Sequence, residues 1–399
     1  MMNLLTTLLT FLSLTVFSMN AKANHINTDD TIRVATFNVS MEALNYSKRV
    51  KGQPAKVVGN ELNQALTSNH QQIKNIAEII QRVNPDIILL NEFDYSPDGK
   101  ELQLFLNQYL NVSQQEQNKI HFPYYYQSSV NTGVKTPFDL NGDNKIEQPA
   151  DTYGFGHFPG HFGMVLLSKY PINAEQVRSF QTFKWKDMPN ALQPIDPQTG
   201  KSWYSDEAWQ GLRLSSKSHW DIPVNINNKQ IHILASHPTP PVFDGPEDRN
   251  GKRNHDEIRF WHDYISEKDN AYIYDDKGQY GGLTPNSPFI ILGDLNASAT
   301  EGDAINSSIS ALLNHDNVQD ALPASKGAKL HSAENSLAKH HTAYWRMRAD
   351  YVLPSKKGFN LIASGVFWPE KNTPQYRLIK DRQASSDHRL VWLDLEISE

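Results

Sequence analysis

The sequence contains no cysteine among its 399 residues. A disulfide, a thiolate metal site and a lipid anchor on an N-terminal cysteine are therefore excluded. The chain also has little excess charge of either sign, since 38 Lys and Arg oppose 44 Asp and Glu, a formal net charge of −6. Avid, sequence-blind binding to duplex DNA requires a concentrated basic face, which this balance does not favour. A local basic site within an acidic protein is still compatible with the composition.

Long apolar runs are scarce as well, because only the N-terminus carries one. The run LLTTLLTFLSLTVFSM is uncharged, and Ala21, Lys22 and Ala23 after it fit a small-x-small cleavage site. This pattern predicts a secretory signal peptide over residues 1–23. An anchoring helix is the alternative, but the run is short for a membrane span. We therefore expect a secreted or periplasmic protein without stable membrane association, folded as one domain over residues 24–399.

Apolar stretches of strand length recur along the rest of the chain. The seven stretches are TIRVATFNV from Thr31, DIILLNE from Asp86, GMVLLS from Gly163, IHILASH from Ile231, FIILGD from Phe289, ADYVLP from Ala349 and RLVWLDLE from Arg389. Several are continuously apolar, which is typical of sheets covered on both faces.

Two stretches have the spacing of helices. The first lies between the first two strands and ends at Pro85, and its apolar face carries Ile73, Ile76, Ala77, Ile80 and Val83. The second, DEIRFWHDYI from Asp256, places Ile258, Trp261 and Ile265 on one side. The long polar segments near 123–160, 180–222 and 240–287 are interpreted as loops of the same domain.

Polar residues stand repeatedly at the ends of the apolar runs. They are Asn38, Glu92, His237, Asp294, Asn296, Asp350, Asp387 and His388. Each alone is consistent with a turn or with a structural hydrogen bond. Together they are carboxylates, carboxamides and imidazoles, without a nucleophilic serine or cysteine. This inventory suits a hard cation, water activation and the stabilisation of a phosphoryl group.

One pair of these residues allows a local prediction. Side chains two residues apart on a strand point to the same face, so Asp294 and Asn296 are predicted to emerge side by side. Gly293 precedes them and lets the backbone approach a neighbour closely.

The ordered set of motifs resembles the endonuclease/exonuclease/phosphatase superfamily, which has the fold of deoxyribonuclease I and of exonuclease III-type apurinic endonucleases. The resemblance covers essentially the whole chain after the signal segment. It is carried, in order, by ATFNV, PDIILLNE, FGMVLLSKYPI, ASHP, ILGDLN, RADYV and SSDHRLVW. It implies an α/β (α+β) fold, a four-layer α/β/β/α sandwich of two mainly antiparallel sheets with the site at one rim.

The resemblance also implies a metal site. Glu92 matches the principal ligand of Mg²⁺ or Mn²⁺, with Asn38 beside it and Asp387 as a further candidate ligand. These three residues are the metal ligands that we expect.

Five other residues match catalytic positions of the family. Asp294 resembles the residue that orients or deprotonates the attacking water, and Asn296 the donor that holds this water or the phosphate. His388 matches the histidine that contacts the phosphoryl oxygens, and Asp350 the carboxylate that fixes its tautomer. His237 occupies the position of a second histidine, an acid for the leaving oxygen. Charge that builds on phosphoryl and leaving oxygens is stabilised by such groups.

The segment after His237, PTPPVFDGPEDRNGKRNHDEIRFW, replaces the short loop of most relatives and contains several basic residues. The segment GLRLSSKSHWDIP from Gly211 adds further basic residues. The substrate-binding candidates that they supply are Arg213, Lys217, Arg249, Arg253 and His255, with Lys252 and His219 nearby. Solvated loop charge is one interpretation of these residues. A local basic rim that recognises extra phosphates or a specific headgroup is the other.

The segment FDLNGDNKIEQPAD gives a separate signal. The first four ligand positions of a Ca²⁺ loop are matched by Asp139, Asn141, Asp143 and the carbonyl of Lys145. The match is partial, because the sixth position is Asn144 rather than Gly and the twelfth is Ala150 rather than Glu. A plain Asx-rich turn is the alternative, and a bound Ca²⁺ would have a structural role.

We therefore expect an exported, divalent-metal-dependent phosphoesterase that hydrolyses phosphomonoesters or phosphodiesters by attack of an activated water. An extracellular nuclease, with nucleic acid as substrate only, is the close alternative. A sphingomyelinase-like lipid phosphodiesterase and a catalytically silent secreted binding protein are further alternatives. The expected cofactor is Mg²⁺ or Mn²⁺, the expected partner is the phosphate ester, and the expected state is a monomer.

Overall fold

A computed structural model describes residues 31–47, 56–268 and 270–398. The predicted signal peptide lies outside these ranges. Within them the strands are β1 Thr31–Met41, β2 Ile87–Phe93, β3 Tyr124–Tyr126, β4 Met164–Ser168, β5 Arg178–Ser179, β6 His219–Ile226, β7 Lys229–Ser236, β8 Phe289–Asp294, β9 Asp350–Pro354, β10 Phe359–Val366 and β11 Val391–Ile397.

The helices of the described ranges are mostly short. The α-helices are α1 Ala43–Tyr46, α2 Glu61–Thr67, α3 Gln71–Val83, α4 Lys100–Phe105, α5 Asp206–Gly211, α6 Arg249–Tyr264, α7 Ser307–Leu313 and α8 Lys326–His331. A π-helical turn covers Leu106–Leu110, and 3₁₀ turns cover Ala174–Gln176, Trp185–Asp187, Ala338–His340 and Pro374–Leu378. None of the helices in the described part of the chain is long and apolar enough to span a bilayer.

The strands form two sheets, as predicted. One sheet has the order β10-β11-β1-β2-β4-β3, and the other has the order β5-β6-β7-β8-β9. Each sheet contains one parallel pair, β1 with β2 and β7 with β8, and its other pairs are antiparallel. Strand β1 contacts β8 and β9 across the interface between the sheets. The two sheets therefore pack face to face.

Helices cover the outer face of each sheet. Helices α2, α3 and α4 contribute apolar side chains to the core that contains β1, β2 and β4. Helices α6 and α7 contribute theirs to a second core, with Phe260, Trp261 and Ile309 packed near Ile291 of β8. The predicted four-layer α/β/β/α sandwich is confirmed.

Two sequence expectations were wrong in detail. The predicted loop over 240–287 contains α6, which begins at Arg249 rather than at Asp256. Its first half buries polar Asn254, so the apolar spacing of a helix is absent there. The predicted loop over 180–222 contains the start of β6, which includes Pro223. Because β5 pairs only with Trp220 and Asp221 of β6, Pro223 lies where β6 has no β5 partner, a position that tolerates proline.

The topology explains why the polar strand ends meet. In a parallel pair the carboxyl ends of both strands lie at the same edge, and Asn38 of β1 is in register with Asn91 of β2. In the second sheet, Asp294 at the carboxyl end of β8 faces Asp350 at the start of antiparallel β9. Both sheets therefore bring their polar termini to one rim of the sandwich.

Candidate active site

Asp294 lies at the centre of the rim. Its Oδ2 atom accepts a hydrogen bond from Asn38 Nδ2 at 3.1 Å. The same oxygen is 3.4 Å from His388 Nε2 and 3.5 Å from His237 Nε2. One carboxylate oxygen thus joins residues that come from both sheets and from two loops.

The backbone around Asp294 is fixed by close contacts. Its N–H donates to Asn91 Oδ1 at 3.2 Å, an interaction between the sheets. A Cβ atom at Gly293 would meet the carbonyl oxygen of Ser236 at 2.1 Å, so glycine is required there, as the sequence predicted. Burial raises the pKa of Asp294 to about 7, against the opposing charge of His388.

His388 is held between two carboxylates. Its Nδ1 atom is 2.9 Å from Asp350 Oδ2 and 3.1 Å from Asp350 Oδ1, and Thr342 Oγ1 donates to Asp350 Oδ2 at 2.7 Å. Burial alone would lower the pKa of His388, but the charges of Asp350 and Asp294 raise it to about 10. The imidazole is therefore cationic at neutral pH and suited to contact an anionic phosphoryl oxygen.

His237 differs from His388 in charge and in partners. Neither ring nitrogen of His237 has a hydrogen-bond partner, although the residue is buried. Burial lowers its pKa well below the usual value, and the positive charges of Lys217 and His388 act in the same direction. The contact of His237 Nε2 with Asp294 Oδ2, at 3.5 Å, is longer than an ordinary hydrogen bond, so this neutral imidazole is available to a ligand at the rim.

Asn296 lies beyond the end of β8. Its N–H donates to Asp294 Oδ1 at 2.9 Å, while its side-chain amide donates to the carbonyl of Pro238 at 3.1 Å. The backbone is left-handed here, with φ of 52°. The strand alternation behind the side-by-side prediction therefore stops at Asp294, and the carboxamide of Asn296 braces the segment after His237.

Glu92 has the features expected of a metal ligand. Its backbone is left-handed with φ of 56°, an uncommon conformation for a residue other than glycine that is found at functional sites. Burial raises the pKa of Glu92, the charges of Asp387 and Glu42 raise it further, and a hydrogen bond with Asn38 opposes them.

The donor set at the rim suits a hard divalent cation. Carboxylate oxygens are ligands that Mg²⁺ prefers, and the mutual repulsion that raises the pKa of Glu92 is relieved by a bound cation. Asp387 is engaged by Ser40 Oγ at 3.3 Å and faces Arg382 Nε at 3.5 Å. A second grouping of Asp294, Asp350 and His388 has one ligand atom from each within 4.8 Å of the others. Glu92 with Asp387 remains the predicted metal site, next to Asn38, which donates to Asp294.

Lys217 is a predicted substrate-binding residue whose charge interacts with the carboxylates of the rim. It is 5% exposed. Burial lowers its pKa, and the charges of Glu257, Glu92 and Asp294 oppose that effect. A buried ammonium group beside these carboxylates is positioned to neutralise charge on a bound anion.

Most of the other basic candidates are engaged by the protein itself. Arg213 donates to Asn131 Oδ1 at 2.7 Å, and its guanidinium lies 4.1 Å from the ring centre of Tyr153. Arg253 donates to three carbonyls, those of Leu214 at 2.8 Å, Arg213 at 3.0 Å and Tyr153. This contact set gives Arg253 a structural role.

The two remaining candidates lie at either end of the first turns of α6. Arg249 pairs with Glu247 and lies over Trp203. His255 contacts Asp256 Oδ1 at 2.9 Å and Ser307 Oγ at 3.1 Å. Their substrate-binding roles stay predictions.

Glu257 of α6 was missed by the sequence analysis, because an acidic residue on a polar helix gives no distinctive signal. It is 1% exposed. Its two carboxylate oxygens accept hydrogen bonds from Ser216 N and Thr239 N, both at 2.6 Å. One carboxylate thus holds the two loops that carry Lys217 and His237.

Asn254, one turn earlier on α6, acts in the same region. Its side-chain amide donates to the carbonyl of Thr239 at 2.8 Å and to the carbonyl of Leu295 at 3.0 Å. Leu295 lies between Asp294 and Asn296. Helix α6 therefore orders three segments of the rim through buried polar contacts.

The predicted Ca²⁺ loop forms a compact turn that is closed by its own carboxylates. Asp139 accepts hydrogen bonds from the N–H groups of Gly142 and Asn144, both at 2.7 Å. Asp151, which follows the predicted ligands, accepts from Leu140 N at 2.7 Å and Glu147 N at 2.9 Å. Calcium binding stays a prediction for this loop.

A four-layer α/β/β/α sandwich of two mainly antiparallel sheets is the deoxyribonuclease I-like fold. Residues 35–388 match the Endonuclease/Exonuclease/phosphatase family, and the chain belongs to that family. Members of the family are metal-dependent phosphoesterases and nucleases. No curated protein matches the sequence.

Solved structures share the fold at low identity. An endonuclease/exonuclease/phosphatase from Beutenbergia cavernae is 18% identical with a TM-score of 0.50, over 92% of this chain and 72% of that chain. The human Nocturnin catalytic domain is 16% identical with a TM-score of 0.44, over 92% and 94%. A Staphylococcus aureus beta toxin mutant with bound magnesium ions is 16% identical with a TM-score of 0.45, over 92% and 99%. These similarities concern the fold alone.

Proposed function

We propose that this protein is an exported, divalent-metal-dependent phosphoesterase that hydrolyses small phosphomonoesters or phosphodiesters as a monomer. The observation that carries the proposal is the arrangement around Asp294. One buried carboxylate faces a cationic and a neutral imidazole, and neither nitrogen of the neutral His237 forms a hydrogen bond within the protein. Export rests on the signal-peptide pattern of residues 1–23.

Each residue has a role in attack on phosphorus. Asp294, with its raised pKa, orients the attacking water and accepts its proton. His388 stabilises negative charge on a phosphoryl oxygen, while Asp350 keeps its ring oriented. A bound Mg²⁺ or Mn²⁺, held by Glu92 with Asp387, would supply further charge stabilisation.

His237 acts at the oxygen that leaves. In the free protein it is neutral, so it donates a hydrogen bond rather than a proton. An anionic substrate beside the ring raises its pKa, because an opposite charge favours the protonated form. His237 then becomes able to protonate the leaving oxygen.

The engagement of basic side chains by the protein itself favours small substrates over polymers. The guanidinium groups of Arg213 and Arg253 keep their charge but are held by a side-chain amide and by carbonyls, whereas Lys217 is a buried cation whose charge interacts with Glu92 and Asp294. A nuclease that grips duplex DNA neutralises several phosphates and releases their counterions. The extracellular nuclease is the second candidate, favoured by family membership.

A hydrolysis panel tests the proposal. It contains p-nitrophenyl phosphate, bis-p-nitrophenyl phosphate, single- and double-stranded DNA, RNA and sphingomyelin, each with Mg²⁺, Mn²⁺ or Ca²⁺. We expect turnover of the small esters with Mg²⁺ or Mn²⁺ and none in excess chelator. Hydrolysis that persists in chelator would contradict the metal-dependent mechanism.

The salt dependence of hydrolysis distinguishes a phosphoesterase for small esters from a nuclease. For duplex DNA the logarithm of the binding constant falls with the logarithm of salt concentration, with a slope near −0.9 for each phosphate contacted. We expect a shallow dependence of kcat/KM on salt and better turnover of small esters than of duplex DNA. Rapid plasmid degradation that collapses at moderate salt, with negligible action on small esters, would favour the nuclease.

A further inference from the structure

A tight hairpin beside His388 presents two aromatic rings to solvent. Ala343 and Met347 pair at its base, and Arg346 N donates to Ala343 O at 3.0 Å across the turn. The tip consists of Tyr344, Trp345 and Arg346. Tyr344 is 51% exposed and Trp345 is 45% exposed. Two adjacent exposed rings contribute little to a core, and such a patch is typical of a binding surface.

The hairpin is fixed to the segment that carries the catalytic imidazole. Ala343 forms an antiparallel bridge with His388, and Tyr344 N donates to Asp387 O at 2.7 Å. The ring of Trp345 stands at 84° to the ring of His388, with the ring centres 4.7 Å apart. In the proposed mechanism His388 contacts the phosphate, so a group attached to that phosphate would pass close to Trp345.

The ring of Tyr344 is supported from behind. His331 lies against it with ring centres 4.9 Å apart, and the His331 Nε2–H donates to the carbonyl of Tyr344 at 2.9 Å. The ring of Trp368 lies 5.0 Å beyond His331, and the guanidinium of Arg389 lies 4.7 Å from the ring centre of Trp368. These tilted ring contacts and the hydrogen bond to the Tyr344 carbonyl hold the tip in place before a ligand arrives, which reduces the entropy lost on binding.

An open cleft adjoins this row of rings. Its volume is about 200 Å³, and its lining includes His331, Trp368 and Tyr376. A cavity of about 150 Å³ accommodates a benzene molecule. The cleft therefore has room for a small planar group next to His331, the residue that contacts Tyr344.

We propose that Tyr344 and Trp345 bind a planar ring carried by the substrate. Phosphate esters of nucleosides, or of other ring-bearing alcohols, are then used in preference to ring-free esters. This inference rests on the proposed phosphoesterase function and names its substrate class. Stacking on an exposed tryptophan tolerates any flat ring, since every nucleobase has a π-face.

A matched pair of substrates tests the inference. Adenosine 5′-phosphate and ribose 5-phosphate share the phosphate and the primary sugar oxygen, and they differ in the base. In Trp345→Ala we expect kcat/KM to fall by about tenfold or more for adenosine 5′-phosphate, the size of one base-stacking contact. The value for ribose 5-phosphate should change little, and Trp345→Phe should restore most of the loss. Equal losses for both substrates would overturn the inference.

Phe243→Ala is the control variant, because Phe243 is an aromatic residue that is 87% exposed and lies on the loop after His237, outside the hairpin. It should leave both values unchanged. If Trp345→Ala instead weakens binding to phosphatidylcholine vesicles and leaves the preference between the two substrates unchanged, the tip contacts lipid and the inference is wrong.

Calorimetric binding separates this inference from the proposed function. Dissociation constants for both phosphates are measured in chelator, with the wild type and with Trp345→Ala. If neither phosphate is hydrolysed, a preference for adenosine 5′-phosphate that Trp345→Ala abolishes would still support the ring site. Equal affinities in the wild type would overturn it whatever the activity.

Discussion

Burial and neighbouring charges together determine the charge of the single residues at the rim. His388 is cationic because two carboxylates outweigh the effect of burial, whereas His237 is neutral because burial and two neighbouring cations act together. The two imidazoles face the same oxygen of Asp294 at nearly equal distances. Their different charges follow from the second neighbours of each ring, chiefly Asp350 and Lys217.

Glu92→Gln tests the predicted metal ligand. The substitution keeps the shape of the side chain and removes its charge, so the affinity for Mg²⁺ or Mn²⁺ should fall. Removal of a residue that hydrogen-bonds to a metal ligand lowers metal affinity or activity by about 10- to 100-fold. Loss of the ligand charge itself should therefore lower kcat/KM by more than about a hundredfold at fixed metal. Steady-state rates over a metal titration give the measurement.

Glu396→Gln is the matched control for Glu92→Gln. Glu396 lies on β11 of the same sheet and accepts from Asn360 Nδ2 at 3.0 Å, far along the strand from the rim. It should leave the metal titration unchanged. A wild-type rate in Glu92→Gln would remove Glu92 from the metal site.

Among the elements, α6 has the greatest influence on the rim. In Glu257→Gln one of the two carboxylate oxygens becomes an NH₂ group, which cannot accept from Ser216 N or Thr239 N. The loops that carry Lys217 and His237 should shift, and small misplacements of this kind cost up to about 100-fold in rate. We expect kcat to fall between about tenfold and a hundredfold, measured with the same small ester.

Arg259→Ala is the control on the same helix. Arg259 donates to the carbonyls of Pro189 and Asn190, away from the rim loops. Its kcat should be that of the wild type. An unchanged kcat in Glu257→Gln, with a lowered melting temperature, would show that Glu257 stabilises the fold without positioning the site.

Calcium binding by the loop over 139–151 can be tested by its effect on thermal stability. If it binds Ca²⁺, added Ca²⁺ should raise the melting temperature, because a ligand that binds only the native state stabilises it. Asp139→Ala combined with Asp143→Ala should remove that rise and leave the hydrolysis rate largely unchanged. The same rise in the double variant would show that the loop is an ordinary Asx-rich turn.

Elements with apolar patterns could be predicted, and those built on polar contacts could not. Strands such as β2 and β8 are continuously apolar, and their polar ends mark the rim. The first half of α6 has no apolar pattern, because Asn254 there is buried through hydrogen bonds rather than through apolar spacing. Arg253 was assigned to the rim because a sequence shows a charge but not the three carbonyls that occupy it.

At the scale of the whole molecule, buried histidine makes the fold sensitive to acid. Burial lowers the pKa of His219 to about 4, against the charge of Glu257. The unfolded chain binds a proton near pH 6.5, so the free energy of unfolding should fall as the pH drops from 6.5 towards 4, by up to about 1.4 kcal/mol per pH unit. Below pH 4 this loss should stop, because both states are then protonated.

Urea unfolding between pH 7 and pH 4.5, in chelator, measures the acid sensitivity. His219→Gln removes the titrating group, so its free energy of unfolding should depend less steeply on pH than that of the wild type. Parallel pH dependences in the two proteins would show that His219 does not titrate on unfolding.

The register between β1 and β11 has a consequence for chain order. Thr31 pairs with Glu396, so the two ends of the described sandwich lie on neighbouring strands, which are about 4.8 Å apart. A short linker could join them, and new termini could be opened in the exposed turn near Gly200. Because the rim is assembled from strand ends and not from one continuous segment, such a circular permutant should hydrolyse the same esters as the parent. In the permutant, β11 and β1 would follow one another in the middle of the chain and would form one β-hairpin.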